Sequence, residues 1–121
     1  MAKILVVDDD IQATTLFETL LTVKGYEAAI VNDSATAVEI ANSTNPDLII
    51  LDLMMPEPNG FEVCKTLRGN HKFAKTPILI FTAMGDNESK AAAFEAGANE
   101  FLTKPFRVED LIQKIKDLID S

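Results

Sequence analysis

The sequence predicts an α/β fold: a doubly wound parallel sheet with helices on both faces. Three observations carry that expectation. Short runs that are apolar at every position recur along the chain, amphipathic stretches of helical spacing lie between them, and the two kinds of segment alternate five times. Runs without a polar face suit strands covered on both sides, and parallel strands joined by right-handed helical crossovers give an open sheet. With 121 residues and 47% hydrophobic content, residues 1–121 are expected to form one domain, long enough to bury a sizeable core without staples.

The first strand is Ile4–Val7, in KILVVDDD. In the helix that follows, Ala13, Phe17, Leu20 and Leu21 share one face, and Gly25 stands where a left-handed C-terminal cap belongs. Ala28–Val31 is a weaker second strand, closed by Asn32 and Asp33 as a turn and helix cap. Ser34–Asn42 is a short helix with Ala37, Ile40 and Ala41 on its apolar side. Leu48–Leu51 makes the third strand, and the stripe Phe61, Cys64 and Leu67 marks the third helix. A fourth strand, Ile78–Phe81, precedes a helix over Lys90–Ala96 that ends at Gly97 and turns mostly alanine inward. Glu100–Thr103 is the fifth strand. The last helix has the clearest stripe (Val108, Leu111, Ile112, Ile115, Leu118 and Ile119), with Glu109 and Asp110 in a first turn that suits the helix dipole.

Composition narrows the function classes. A formal net charge of −8 repels polyanions and argues against direct binding to nucleic acid or an anionic membrane. A single cysteine, Cys64, permits no internal disulfide and fits a reducing compartment. No run resembles a signal peptide or reaches the ~20 apolar residues that span a bilayer. A cytoplasmic location is expected.

In doubly wound sheets the binding site lies outside the carboxyl ends of the strands, where strand order reverses. Just past those ends stand Asp8, Asp9 and Asp10 after the first strand, Asp52 after the third, Thr82 after the fourth and Lys104 after the fifth. Each alone has an ordinary structural reading. Asp10 before Ile11 suits a helix cap, Thr82 a turn and Lys104 the surface. Their joint placement, one set per strand end, points to a site.

Two carboxylates about 4 Å apart repel by roughly 1 kcal/mol in water and about 4 kcal/mol near a protein surface. Three together would take up protons or require a cation, and one lysine does not neutralise them. Oxygen-only ligands with water completing the shell favour Mg²⁺, and no His or Cys lies nearby to suggest zinc. With such an ion the remaining groups suit phosphoryl transfer to a carboxylate, where a metal, an ammonium and a hydroxyl each take one phosphoryl oxygen.

The pieces VVDDD, DLMMPEPNG, Thr82-Ala83 and GANEFLTKPF, in that order, resemble the receiver domain of two-component response regulators along nearly the whole chain. That resemblance implies strand order 2-1-3-4-5. It implies Asp52 as phosphoacceptor, Asp9 as a direct Mg²⁺ ligand, Asp8 acting through water, and the backbone carbonyl of Met54 as a further ligand. It also implies Thr82 and Lys104 as phosphoryl contacts, Ala83 as a small neighbour leaving the phosphate accessible, and a cis peptide before Pro105. Thr82 and Phe101 would be the switch residues, acting on the surface of the fourth helix, fifth strand and fifth helix. Many members have tyrosine at the Phe101 position, so a contact relying on that hydroxyl is missing here. Implied partners are a sensor histidine kinase or histidine phosphotransfer protein and a downstream protein target. The domain is expected to be a signalling switch that phosphorylates and dephosphorylates itself, rather than a turnover enzyme.

Three other readings fit less well. A flavodoxin-like electron carrier would place three aspartates against its cofactor's phosphate. A haloacid-dehalogenase-type phosphatase wants an acid two residues past the nucleophile, where Met54 stands. A receiver that works without phosphorylation would not need the complete residue set. His71, in a polar loop, and Cys64 and Met55, on apolar stretches, read as structural. Whether the chain acts alone or belongs to a larger regulator is left open by the sequence.

Overall fold

Strand β1 (Lys3–Val7) lies between β2 (Glu27–Val31) and β3 (Leu48–Leu51), and β4 (Ile78–Thr82) and β5 (Glu100–Thr103) continue the sheet beyond β3. The computed structural model describes residues 1–120, and every strand pair in it is parallel, in the order β2-β1-β3-β4-β5. Both expectations, the doubly wound sheet and its order, hold. The register Val7↔Val31 and Val7↔Leu51 brings three strand ends level at one edge of the sheet.

Alternation along each strand divides the core in two. Leu5, Val7, Ile49, Leu51, Ile78 and Ile80 face one side, where they meet Ala37 and Ala41, then Val63, Cys64 and Leu67, and Ala93. Ile4, Val6, Leu48, Ile50, Leu79 and Phe81 face the other, where Phe17, Leu21, Leu111, Ile112 and Ile115 cover them. Hence α1 (Ile11–Val23) and α5 (Val108–Asp120) pack on one face, and α2 (Ala37–Thr44), α3 (Gly60–Arg68) and α4 (Asn87–Glu95) on the other. The central strands are buried at nearly every position, so their sequences carry no polar alternation.

Helix ends depart from the sequence expectation for identifiable reasons. The second helix begins as a 3₁₀ turn, Ser34–Thr36, because the Asp33 side chain accepts from the Ala35 N–H; the α-helix starts at Ala37. It ends at Asn45, whose φ of 50° is left-handed. The fourth helix starts a turn early, capped by Asp86, whose carboxylate accepts from the Ser89 N–H and hydroxyl. Its inner side is Ser89, Ala93 and Ala96, while Ala91 and Ala92 are exposed, so alanine lines it only in part. Val108 is also exposed, being the first residue of its helix. Gly25 has the φ of +88° that a cap requires.

At the edge opposite the aspartates, Arg68 ties together three segments. Its guanidinium donates to the carbonyls of Gly97 (2.8 Å), Phe73 (2.7 Å) and Thr76 (2.6 Å) and to the Asn99 side chain, whose Oδ1 also accepts from the Ile78 N–H at 2.8 Å. Charge-assisted bonds of this kind are stronger than neutral ones, and losing the donor strands partly buried carbonyls. Arg68→Met should therefore cost about 2 kcal/mol, read as a lower urea midpoint; an unchanged midpoint would show that water replaces these bonds.

Candidate functional site

Asp8 and Asp52 follow adjacent strands at the point where the chain winds to opposite sides of the sheet. Backbone bonds set them there. The Asp8 N–H donates to Val31 O at 3.0 Å and the Asp52 N–H to Val7 O at 3.0 Å, each extending a strand by one residue. One carboxylate oxygen from each of Asp8, Asp9 and Asp52 lies within 4.8 Å of the other two. Asp8 and Asp52 are buried and Asp9 is exposed, so the cluster opens to solvent on one side.

Local hydrogen bonds aim these groups. Asp8 Oδ1 accepts from the Asp10 N–H at 3.0 Å, and Asp52 Oδ1 from the Met54 N–H at 3.2 Å. Asn32 donates to the Asp8 carbonyl and to Thr14 Oγ1, both at 2.9 Å, and so pins the loop after β1. Asp10 caps α1 by accepting from the Gln12 and Ala13 N–H groups, which is its ordinary structural role. Lys104 Nζ lies 3.3 Å from Asp8 Oδ2 and 3.5 Å from Asp52 Oδ2, so one ammonium faces two carboxylates. The Lys104 N–H donates to Thr82 O at 2.8 Å, and the bond to Pro105 is cis.

Thr82 is fully buried; its hydroxyl accepts from the Met84 N–H at 3.3 Å and makes no hydrogen bond to the carboxylates. Met54 is 56% exposed, and its N–H donates to Asp52 Oδ1. Phe101 is buried in the core beside α4, with Lys90 Nζ 5.8 Å from its ring centroid. His71 is exposed, and Cys64 and Met55 are core, as expected. Missed in the sequence were the Asn32 anchor, the capping box of Asn59 with Glu62 that starts α3, and a second cis bond, Glu57–Pro58. The Asn59-to-Glu62 spacing was a usable signal for the box; nothing local marked Asn32 as an anchor.

Burial raises the Asp8 carboxyl above the ordinary carboxylate range, with the Asp52 charge adding to the rise and the Asp10 N–H and Lys104 opposing it. The folded domain thus holds that proton to higher pH than the unfolded chain does. The stability it contributes is full below the ordinary range and is lost as pH rises through the raised value. In the metal-free domain Asp8→Asn should accordingly be stabilising at neutral pH, with the gain vanishing in acid. Urea unfolding in a chelator at both pH values reads this, and a neutral-pH loss would contradict it. The donor set itself, three carboxylates open on one side and without nitrogen or sulfur, fits a hard divalent cation.

Fold and site define a class: a doubly wound α/β domain whose switch-point edge gathers three carboxylates and an ammonium. The chain belongs to the response regulator receiver domain family, whose model matches residues 4–116. It is 38% identical over 119 residues to the DNA-binding dual master transcriptional regulator RpaA of Synechocystis, covering 98% of this chain and 49% of that protein. The chain spans about half the length of the curated relatives it matches. Among solved structures it is similar to the chemotaxis protein CheY4 of Vibrio cholerae (TM-score 0.92, 35% identity, 98% of both chains). It is also similar to the receiver domain of the sensor histidine kinase PA1611 of Pseudomonas aeruginosa (TM-score 0.91, 28% identity, 99% and 98% of the chains), which has a magnesium ion coordinated in its active-site cleft. No helix among the described residues is long and apolar enough to cross a membrane.

Proposed function

We propose that this domain accepts a phosphoryl group from a phosphohistidine donor onto Asp52 in a Mg²⁺-dependent reaction and signals through its α4–β5–α5 surface. The observation that carries the reading is the meeting of Asp8, Asp9, Asp52 and Lys104 at one sheet edge in a chain of the receiver family. Asp8, Asp9, Asp52 and the Met54 carbonyl would hold Mg²⁺, which supplies charge neutralisation for the incoming phosphoryl oxygens. One Asp52 carboxylate oxygen attacks phosphorus; the O–P bond forms as the P–N bond to the donor imidazole breaks. The Lys104 ammonium, shared between Asp8 and Asp52 before reaction, turns to a phosphoryl oxygen. The Thr82 hydroxyl exchanges the Met84 N–H for another phosphoryl oxygen.

That movement of Thr82 couples the site to Phe101. Both residues are buried, and Thr82 stands two residues beyond Ile80, the cross-strand partner of Phe101, on the same face of the sheet. Displacing one would therefore change the space open to the other and shift a pre-existing equilibrium of the outer surface. The donor would be a sensor histidine kinase or histidine phosphotransfer protein and the target a downstream protein, in the cytoplasm. We assign the domain no direct nucleic-acid or membrane contact. It is a switch with self-catalysed phosphorylation and dephosphorylation rather than a turnover enzyme. Acetyl phosphate should add one phosphoryl mass to the intact protein in Mg²⁺ and none in chelator; labelling that ignores chelator would overturn the metal dependence.

Asp9, the exposed member, tests the metal half of the reading alone. Asp9→Ala should weaken Mg²⁺ binding by about tenfold or more while leaving the melting temperature of the metal-free domain unchanged. Calorimetric titration with Mg²⁺ checks it, and an unaltered affinity would remove Asp9 from the ligand set.

A further inference from the structure

Lys104 is a long, flexible side chain, yet the reaction proposed above needs its ammonium at one point. The two carboxylates do not fix it alone, because Asp52 changes charge and shape when it takes a phosphoryl group. A third contact is independent of that change. Lys104 Nζ lies over the ring of Phe81, 4.9 Å from its centroid. That distance is within the range in which an ammonium is drawn to the electron-rich face of an aromatic ring.

The ring is itself held. Phe81 is 3% exposed and stands edge-to-face with Phe17 (4.8 Å, 82°) and with Phe106 (4.8 Å, 81°), while Phe17 and Phe106 lie parallel at 6.1 Å. These three rings come from α1, from β4 and from the segment just past Pro105. Perpendicular pairs at this separation are favoured by the ring quadrupoles, and two such pairs leave Phe81 little room to turn. The last two residues of β4 therefore grip Lys104 at both ends. The Thr82 carbonyl takes its backbone N–H and the Phe81 ring takes its ammonium.

We propose, resting on the phosphoryl-acceptor reading, that Phe81 is a positioning residue: its clamped ring holds the Lys104 ammonium at the place where a phosphoryl oxygen on Asp52 will arrive. A leucine at this position keeps the side chain apolar and removes the ring face. Beryllofluoride, which mimics the phosphoryl group on an aspartate, reads the effect in the presence of saturating Mg²⁺. Phe81→Leu should weaken beryllofluoride binding by about fivefold, the size of a partly desolvated ammonium–ring contact. Mg²⁺ affinity measured without beryllofluoride should not fall.

A double-mutant cycle separates positioning from general damage. In a Lys104→Ala background, Phe81→Leu should have no further effect on beryllofluoride binding. Equal losses in both backgrounds, or none in either, would overturn the proposal. A direct readout covers the case in which the leucine variant fails to fold. In the unsubstituted protein the Lys104 ε-methylene protons should be shifted upfield of those of the other lysines by the Phe81 ring current, and an ordinary shift would also overturn it. If the unsubstituted protein binds no beryllofluoride with Mg²⁺, the phosphoryl-acceptor reading falls and this inference falls with it. Normal binding in Phe81→Leu defeats the inference alone.

Discussion

Asp52→Asn should abolish labelling by acetyl phosphate and leave a folded domain. The asparagine keeps the Oδ1 that accepts from the Met54 N–H, and the Asp52 N–H that bonds Val7 O is backbone, so the strand end keeps its place. Lys104 retains Asp8 at 3.3 Å, and the repulsion between two buried carboxylates disappears. Folding stability should be equal or higher. What is lost is the nucleophile, because a neutral amide oxygen does not form the acyl phosphate. Asp8 and Asp9 should not substitute for it, since they are the groups that would hold the metal. Intact-mass analysis, with hydroxylamine sensitivity to identify the acyl phosphate, checks this. Undiminished labelling of Asp52→Asn would place the acceptor elsewhere.

Gly60→Ala should damage fold and site together. Gly60 opens α3, and its N–H donates to Leu53 O at 3.1 Å, drawing the helix start onto the loop that leaves Asp52. A methyl group at this position would run into the Asp52 carbonyl oxygen, 2.5 Å from Leu53 Cα and 2.8 Å from the Asp52 carbonyl carbon. All of these are backbone atoms that do not rotate aside. Overpacking of this kind costs about 3 kcal/mol. Relief would push Asp52 itself, and a displacement near 1 Å reduces a positioned reaction by about 10²-fold. Gly69 supplies the control, because a Cβ there meets nothing closer than 3.5 Å. Gly69→Ala should be close to neutral by thermal melting and by labelling, and a Gly60→Ala protein that matched it in both would refute the contact.

The elements of this fold were legible because its central strands are buried on both faces. Leu48–Leu51 carries no polar residue, and its observed limits are those expected. Helix starts were harder. The cap of α4 is a side-chain contact from Asp86, so periodicity that begins at Lys90 misses the first turn. Likewise the apolar stripe of α2 could not distinguish a 3₁₀ entry from an α-helical one. At the site, Asp8, Asp9, Asp52 and Lys104 could be named from their positions after strands, since a parallel sheet brings those ends together whatever the helices do. Thr82, expected just past the fourth strand, is instead the last residue of β4, and the partner of its hydroxyl, Met84, is a local turn contact that no spacing rule gives. Asn32, Arg68 and Phe81 were out of reach for a different reason. Each acts across the chain, Arg68 on residues 29 and 31 positions away and Asn32 on one 24 positions away, and the sequence near them looks ordinary.

Crystals of the domain grown with Mn²⁺ in place of Mg²⁺ put the whole account to its most direct test, because Mn²⁺ takes similar oxygen ligands and scatters anomalously. An anomalous peak within bonding distance of the Asp9 and Asp52 carboxylates, with Asp8 beside it, is the expected result. A crystal in which Mn²⁺ is bound elsewhere, or not at all, while these three carboxylates stand without an ion would contradict it.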